Sequence, residues 1–295
     1  MARVVVGTSS WTDPGFVADW YPAGLPARER LAYYAERFEA VEVNSTHYAI
    51  PAARTAARWA RETPAGFSFD VKLHKLLSRH RTELKDLPAG LRERAETDAR
   101  GRVLLDPGLE AAMLEETLAA VEPLEAAGKL ACLLLQLTPA FSPRDRRLDE
   151  LAPLLERLAP RPVAMELRHR GWLEGEQRER TLAFYECHGA VFVCVDGPEG
   201  NAPTIVPNLD AVTHGRIAYL RAHGRNARGY MTGRSVAERF DHRYSAGELR
   251  EIARRTETLA EEAEEVRVMF NNNKSDYAPR AASGLRELLG QQAPA

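Results

Sequence analysis

The stretch PVAMELRHRGWLEGEQRERTLAFYECHGAVFVCVD, residues 162–196, holds two short apolar runs, PVAMELR (162–168) and AVFVCVD (190–196), on either side of EQRERTLAFYECHG (176–189). The outer runs have strand length and the middle segment has helical spacing, so the whole reads as a strand, a crossover helix and a parallel strand. The same unit recurs in both directions. Strand candidates precede it at VVVGTSS (4–10), AVEVNST (40–46), FSFDVKL (67–73) and LACLLLQL (130–137), and follow it at RIAYLRA (216–222) and VRVMFNN (266–272). Helix candidates lie at 26–38, 52–63, 107–128, 145–159, 245–265 and 278–290, and Ser245 with Glu248 forms a capping box at the fifth of these. Eight such strands in 295 residues predict an α/β fold, a TIM-like (β/α)8 barrel, as a single domain over 1–290 with a frayed tail at 291–295. Two connections break the repeat. Residues 75–106 form a long charged insertion after strand three, and 197–215, rich in Pro, Gly and Asn, predict no regular helix after strand six. Long loops on such a scaffold commonly carry function, so both are lid candidates.

Composition narrows the function. Forty Lys and Arg against 42 Asp and Glu leave a formal charge of −2, which removes the argument from net charge for a nucleic-acid binder while permitting a local basic patch. Cys132, Cys187 and Cys194 lack the spacing of a disulfide framework or a zinc site. Cys132 and Cys194 sit in apolar runs and are expected to be buried, inert thiols. The apolar run at Val4–Val6 is far shorter than a secretory core, and the longest apolar stretches, about eight residues, are too short to span a bilayer. The expectation is a cytoplasmic protein with no membrane partner.

Barrel strands point alternate residues inward, where Val, Ile and Leu usually pack. Here polar residues share one parity near the strand ends. Glu42 and Asn44 do so on strand two, Asp70, Lys72 and His74 on strand three, Gln136 and Thr138 on strand four, and Glu166 and Arg168 on strand five. Strand six ends in Asp196, strand seven in Arg221 and His223 before Gly224, and strand eight in Asn271, Asn272 and Asn273. Burying an unpaired charge costs several kcal/mol, so such a set is either a fully paired internal network or a site shared with a ligand. The C-terminal face of the strands is where barrel enzymes place their chemistry. Lys72, Arg168 and Arg221 suit an anion and would oppose a cation, so no metal and no cofactor are expected. RAHGRN (221–226) and NNNKSD (271–276) fall after strands seven and eight, where barrels often hold phosphate, and Arg225 and Lys274 belong to these runs. Glu42 and Glu166 are the candidate acid/base pair, with salt bridges of Glu166 to Arg168 and Asp70 to Lys72 as the competing account. Trp11, Tyr48 and Trp172 are aromatics that could stack on a sugar or base.

Together GTSSW (7–11), YYAERFEAVEVNSTHYAIP (33–51), FSFDVKLHK (67–75), LLQLTPAF (134–141), AMELRHRGW (164–172), AYLRAHGR (218–225), RFDHRYSAGEL (239–249) and VMFNNNKSDYAPRAA (268–282) resemble the YecE-like family, domain of unknown function family 72. The resemblance implies a (β/α)8-related barrel. It also implies shared positions at Glu42, Asn44, Tyr48, Lys72, Gln136, Glu166, Arg168, Trp172, Arg221, His223, Gly224, Asn271 and Asn272, without an established reaction. The family's fold has been likened to metal-dependent barrel enzymes such as endonuclease IV and sugar isomerases.

The leading expectation is a metal-independent enzyme, a hydrolase, lyase or isomerase, that binds a small phosphorylated sugar- or nucleotide-like anion at the C-terminal barrel face. Glu42 and Glu166 would supply acid/base chemistry, and Asn44, Tyr48, Lys72, Gln136, Arg168, Trp172, Asp196, Arg221, His223, Gly224, Asn271 and Asn272 would bind the ligand. One alternative is a non-catalytic module for nucleic acid or protein. Another is glycoside hydrolysis by the two carboxylates, which requires a separation of about 5 to 10 Å.

Overall fold

The computed structural model describes residues 2–233 and 235–292. Eight parallel strands, β1 (Arg3–Thr8), β2 (Ala40–Val43), β3 (Ser68–Lys72), β4 (Leu130–Gln136), β5 (Val163–Glu166), β6 (Val191–Asp196), β7 (Ile217–Ala222) and β8 (Glu265–Phe270), form a closed barrel in sequence order. β8 returns to β1 in register from Arg3 opposite Glu265 to Thr8 opposite Phe270, so no sheet edge is left open. All eight expected strands are present, several ending earlier than their apolar runs. β2 stops at Val43 because the chain turns into a 3-10 segment, Ser45–His47, in which His47 N donates to Asn44 O at 3.1 Å.

Around the barrel lie α1 (Pro14–Asp19), α2 (Arg30–Ala35), α3 (Ala53–Arg61), α4 (Ala89–Arg92), α5 (Pro107–Ala126), α6 (Ala152–Leu158), α7 (Gly175–Cys187), α8 (Ala227–Thr232), α9 (Val236–Arg239), α10 (Ala246–Leu259) and α11 (Tyr277–Leu288). Local chemistry sets their starts. Asp106 accepts from Gly108 N (2.7 Å) and Leu109 N (2.9 Å) ahead of Pro107 at the first turn of α5. Ser245 and Glu248 close the expected capping box on α10. Residues 197–216 hold no helix. The 75–106 insertion carries a 3-10 turn, α4 and two isolated bridges, Glu83 with Arg102 and Thr97 with Val103. Four short helices outside the expected ones, α1, α4, α8 and α9, are too brief to give a readable apolar period. Of the tail at 291–295, residues 293–295 lie outside the described residues, and Gln291 Nε2 donates to Val4 O at 2.8 Å.

The apolar core fills the space between strands and helices, with Val6, Val41, Phe69, Leu133, Leu135, Met165 and Leu220 fully buried. Cys132 and Cys194 are buried as expected, and Cys187 is exposed. Among the described residues no helix is long and apolar enough to cross a membrane. What departs from an ordinary barrel is the interior itself, which is polar.

Candidate functional site

Two tiers of charge occupy the barrel lumen, and the contacts that define them run between opposite walls. In the lower tier Arg267 of β8 reaches Asp70 of β3, 2.9 Å from Nε to Oδ1, and its other nitrogens donate to Glu265 Oε1 (2.6 Å) and Ser68 Oγ (3.0 Å). Tyr219 Oη on β7 donates between Asp70 Oδ2 (3.0 Å) and Glu42 Oε2 (3.1 Å), and the Cys132 thiol donates to Asp70 Oδ1 at 3.2 Å. Every nitrogen of the Arg267 guanidinium therefore has an oxygen partner.

One step toward the C-terminal face, Arg221 of β7 is 1% exposed and spans the lumen. Its Nε and Nη2 meet Glu42 at 2.9 and 2.5 Å, and its Nη1 donates to Glu166 Oε2. Glu166 Oε1 then accepts from Gln136 Nε2 (2.8 Å), Arg168 Nη1 (3.2 Å) and His223 Nε2 (3.1 Å). Gln136 Oε1 accepts from Lys72 Nζ at 2.6 Å. Asn271 Nδ2 donates to His223 Nδ1 at 2.9 Å, which leaves the ring proton on Nε2 to face Glu166, and Asn44 Nδ2 donates to Asn271 Oδ1 at 3.3 Å. Lys72, Gln136, Glu166, Arg168, Arg221, His223, Asn271, Asn44 and Glu42 thus form one connected network. Its acid-base states follow from burial and these partners. Burial alone would raise the Glu166 pKa, but Arg221, His223 and Arg168 hold it well below the ordinary carboxylate range. Burial lowers His223, against the pull of Glu166, so the ring is neutral. Burial, then the Arg221 charge, lower the Lys72 amine to about 7.

Above this network lies a cleft of about 460 Å³, lined by His80, Gln136, Arg168, Tyr230, Arg239 and Phe240 among others. Arg168 Nη2 donates to Tyr230 Oη at 2.8 Å, and that hydroxyl donates to Thr204 O at 2.7 Å, which ties α8 to the 197–216 loop. His80, from the long insertion, places Nε2 at 3.2 Å from Gln136 O and packs edge-on against His47 with centroids 4.9 Å apart. Burial lowers His80 to about 4, leaving it neutral at physiological pH. The insertion and the 197–215 loop, two lid candidates in the sequence, both contribute residues to this cleft, His80 and Thr204. Tyr230, Arg239 and Phe240 were not anticipated, because they sit on or beside helices too short to announce themselves. Arg267 and Tyr219 were missed although a signal existed, since each shares inward parity with a polar residue further along, Asn271 four positions after Arg267 and Arg221 two positions after Tyr219.

Other expected residues lie elsewhere. Glu42 is fully buried beneath the cleft, and the Arg221 side chain fills the space between it and Glu166. No substrate ring can sit between the two carboxylates, which removes the glycosidase geometry and the Glu42/Glu166 acid/base pairing. Asp70 pairs with Arg267 rather than with Lys72, whereas the Glu166–Arg168 pair is present. Asp196 points to the outer layer, where it accepts from Arg225 Nη2 (2.7 Å), Arg255 Nη1 (3.1 Å) and Tyr244 Oη (2.8 Å). Arg225 is further paired to Glu251 at 2.6 Å and Lys274 to Asp241, so neither is a free phosphate ligand. Asn272 Nδ2 donates to His242 O at 2.9 Å on the outer side. Gly224 is required by its φ of +89° and by His242, whose Cβ would lie 2.7 Å from an added Cβ, not by ligand approach. Trp172, 2% exposed, donates from Nε1 to Phe141 O (2.7 Å) and stacks on the Phe141 ring. Trp11 is likewise buried, edge-on to Trp59. Tyr48 is 63% exposed and lines a separate groove with residues 85–89. Among the described residues no three His, Cys, Asp or Glu side chains are grouped to hold a metal. The inward carboxylates each meet a guanidinium, a donor set that does not fit the metal clusters of the enzymes to which such barrels are likened.

The fold is shared with known proteins. A protein of Bacillus subtilis (strain 168), UPF0759 protein YunF, is 28% identical over 293 residues, covering 97% of this chain and 94% of that one. A solved DUF72 family protein of Thermotoga maritima MSB8 is 29% identical with a TM-score of 0.78, covering 98% of this chain and 100% of the other. A solved DUF72 family protein of Enterococcus faecalis V583 shares the fold at 24% identity with a TM-score of 0.82, covering 100% and 97%. The family model described as protein of unknown function DUF72 matches residues 5–295, and the chain belongs to that family.

Proposed function

We propose that the protein is a barrel enzyme, of hydrolase, lyase or isomerase type, that binds a small phosphorylated sugar- or nucleotide-like anion in the cleft at the C-terminal barrel face. One observation carries the reading: among the described residues the lining of the cleft includes two guanidinium groups, Arg168 and Arg239, and no carboxylate. Arg168 is oriented from below by Glu166 and from the side by Tyr230, and such a preset fork suits bidentate recognition of phosphate. Gln136 forms the floor and can hydrogen-bond a polar substrate. Within this reading Glu166, kept ionised, positions Arg168, Gln136 and His223, and Glu42 positions Arg221. His80, neutral and in the cleft, is the group placed to carry protons.

The test is thermal denaturation with inorganic phosphate and with glucose 6-phosphate. Wild type should be stabilised by at least one of them. Arg168→Ala should lose that shift, measured against the variant's own unliganded melting temperature, which falls as well because the Arg168–Glu166 pair is largely buried. An undiminished shift in Arg168→Ala together with Arg239→Ala would remove the anion site.

A further inference from the structure

Two lysines are buried in this barrel with no salt-bridge partner among the described residues, and their surroundings differ. Lys129 donates to Ala60 O (2.6 Å), Thr63 O (2.6 Å) and Thr63 Oγ1 (2.9 Å), so its three N–H groups are all engaged. Lys72, the last residue of β3, makes one hydrogen bond, to Gln136 Oε1, and Gln136 is the floor of the cleft. Lys72 is 8% exposed and lies directly beneath Gln136, which separates its amine from the cleft. The charged and titratable groups facing it come from every wall: Arg221 from β7, Glu42 from β2, Glu166 and Arg168 at the end of β5, His47 after β2, and His80 from the insertion. Both carboxylates are turned to Arg221, so neither clamps the amine. Its pKa, lowered to about 7 by burial and then by Arg221, leaves a substantial fraction as the free amine at neutral pH, the form that attacks carbonyl carbon.

We propose that Lys72 forms an imine with the aldehyde or ketone group of the anionic substrate bound in this cleft, which makes the ligand a carbonyl compound. The inference rests on the anion-binding reading above and names the substrate class for it. In the step, the Nζ lone pair forms a C–N bond as the carbonyl π electrons move to oxygen. Both amine hydrogens end on that oxygen, which leaves as water, so no oxidant or reductant is needed. A proton from solvent then charges the imine, which makes its carbon a stronger electrophile than the parent carbonyl. Adjacent strands lie about 4.8 Å apart, so Lys72 on β3 and Arg168 beyond β5 can hold the carbonyl and the anion of one small molecule, with Gln136 of β4 between them.

The experiment incubates the full chain at pH 7 with dihydroxyacetone phosphate, pyruvate or uncharged glycolaldehyde plus sodium cyanoborohydride, followed by intact mass and peptide mapping. A single reduced adduct on Lys72, absent in Lys72→Met, is expected. Adducts only on exposed lysines such as Lys85, or none, would overturn it. The wild type supplies a check that does not depend on the variant's folding: trace acetic anhydride at pH 7 should acylate Lys72 at least about tenfold faster than Lys85, and slower acylation overturns the proposal. The two readings fail separately. A phosphate-induced thermal shift without a Lys72 adduct sinks the imine alone, whereas a glycolaldehyde adduct on Lys72 without any anion-induced shift sinks the anion site alone.

Discussion

The lower and upper tiers of the barrel lumen are each built around a buried arginine paired with carboxylates, yet among the described residues it is the upper one that opens to a cleft. Below, Arg267 is matched on all its nitrogens by Asp70, Glu265 and Ser68, and Tyr219 and Cys132 fill what remains of Asp70. Above, Arg221 is likewise saturated by Glu42 and Glu166, but the network continues outward through Gln136, Arg168 and Lys72, whose remaining donors are not all used by the protein. A closed tier replaces the aliphatic plug of an ordinary barrel and sets the register of opposite walls. An open tier holds functional groups rigidly while leaving some of their hydrogen-bonding capacity for a ligand. The difference lies in how many partners each cation has, not in how polar each tier is.

Breaking the closed tier should have the largest effect. Asp70→Ala leaves the Arg267 charge buried without its principal partner and is expected to lower unfolding free energy by about 3–5 kcal/mol, read from denaturant midpoints. A loss under about 1 kcal/mol would mean that Glu265 and Ser68 suffice and that the lower tier is not closed by Asp70. Lys72→Met probes the open tier with a pH-dependent outcome. The amine's pKa is about 7 in the folded protein against an ordinary value of 10.5, so between those values the unfolded chain binds more protons and wild-type stability rises with pH. Relative to wild type, Lys72→Met should therefore gain most below pH 7, and the gain should shrink as pH climbs toward 10.5. A difference that is flat with pH would show Lys72 to be an ordinary charged lysine. The smallest effect belongs outside both tiers. Lys274→Ala removes a half-exposed pair with Asp241 and should change stability by less than about 1 kcal/mol, with phosphate binding intact. A lost phosphate shift in this variant would move the anion site to the end of β8.

Much of this was legible in the chain. Periodicity alone marks all eight strands, because a parallel strand buried on both faces is a short apolar run whatever its neighbours are. Parity then brings Glu42, Lys72, Gln136, Glu166, Arg221 and His223 to one interior, and the structure joins them in one network. The same rule was uninformative for Asp196 and Asn272, which sit at strand ends where a shift of one residue turns a side chain to the outer layer. Trp172 and Gly224 read equally well as ligand groups and as packing, since an aromatic or a glycine at a loop end serves either purpose, and here their neighbours, Phe141 and His242, decide for packing. The cleft wall was invisible because Tyr230 and Arg239 belong to helices of six and four residues, shorter than any period can establish.

The order of apolar runs determined by itself that this chain closes an eight-stranded barrel and that the barrel's interior is charged, because both follow from local spacing and the two-residue repeat of a strand. Only the tertiary structure decided which charge meets which. Arg221 and Glu42 are 179 positions apart, and Arg267 and Asp70 are 197 apart, on opposite walls of the lumen. Their pairing depends on strand tilt and register around a closed ring. That geometry withdraws Glu42 into a buried ion pair, leaves Arg168 in the wall of the cleft and sets Lys72 one hydrogen bond beneath it, behind Gln136.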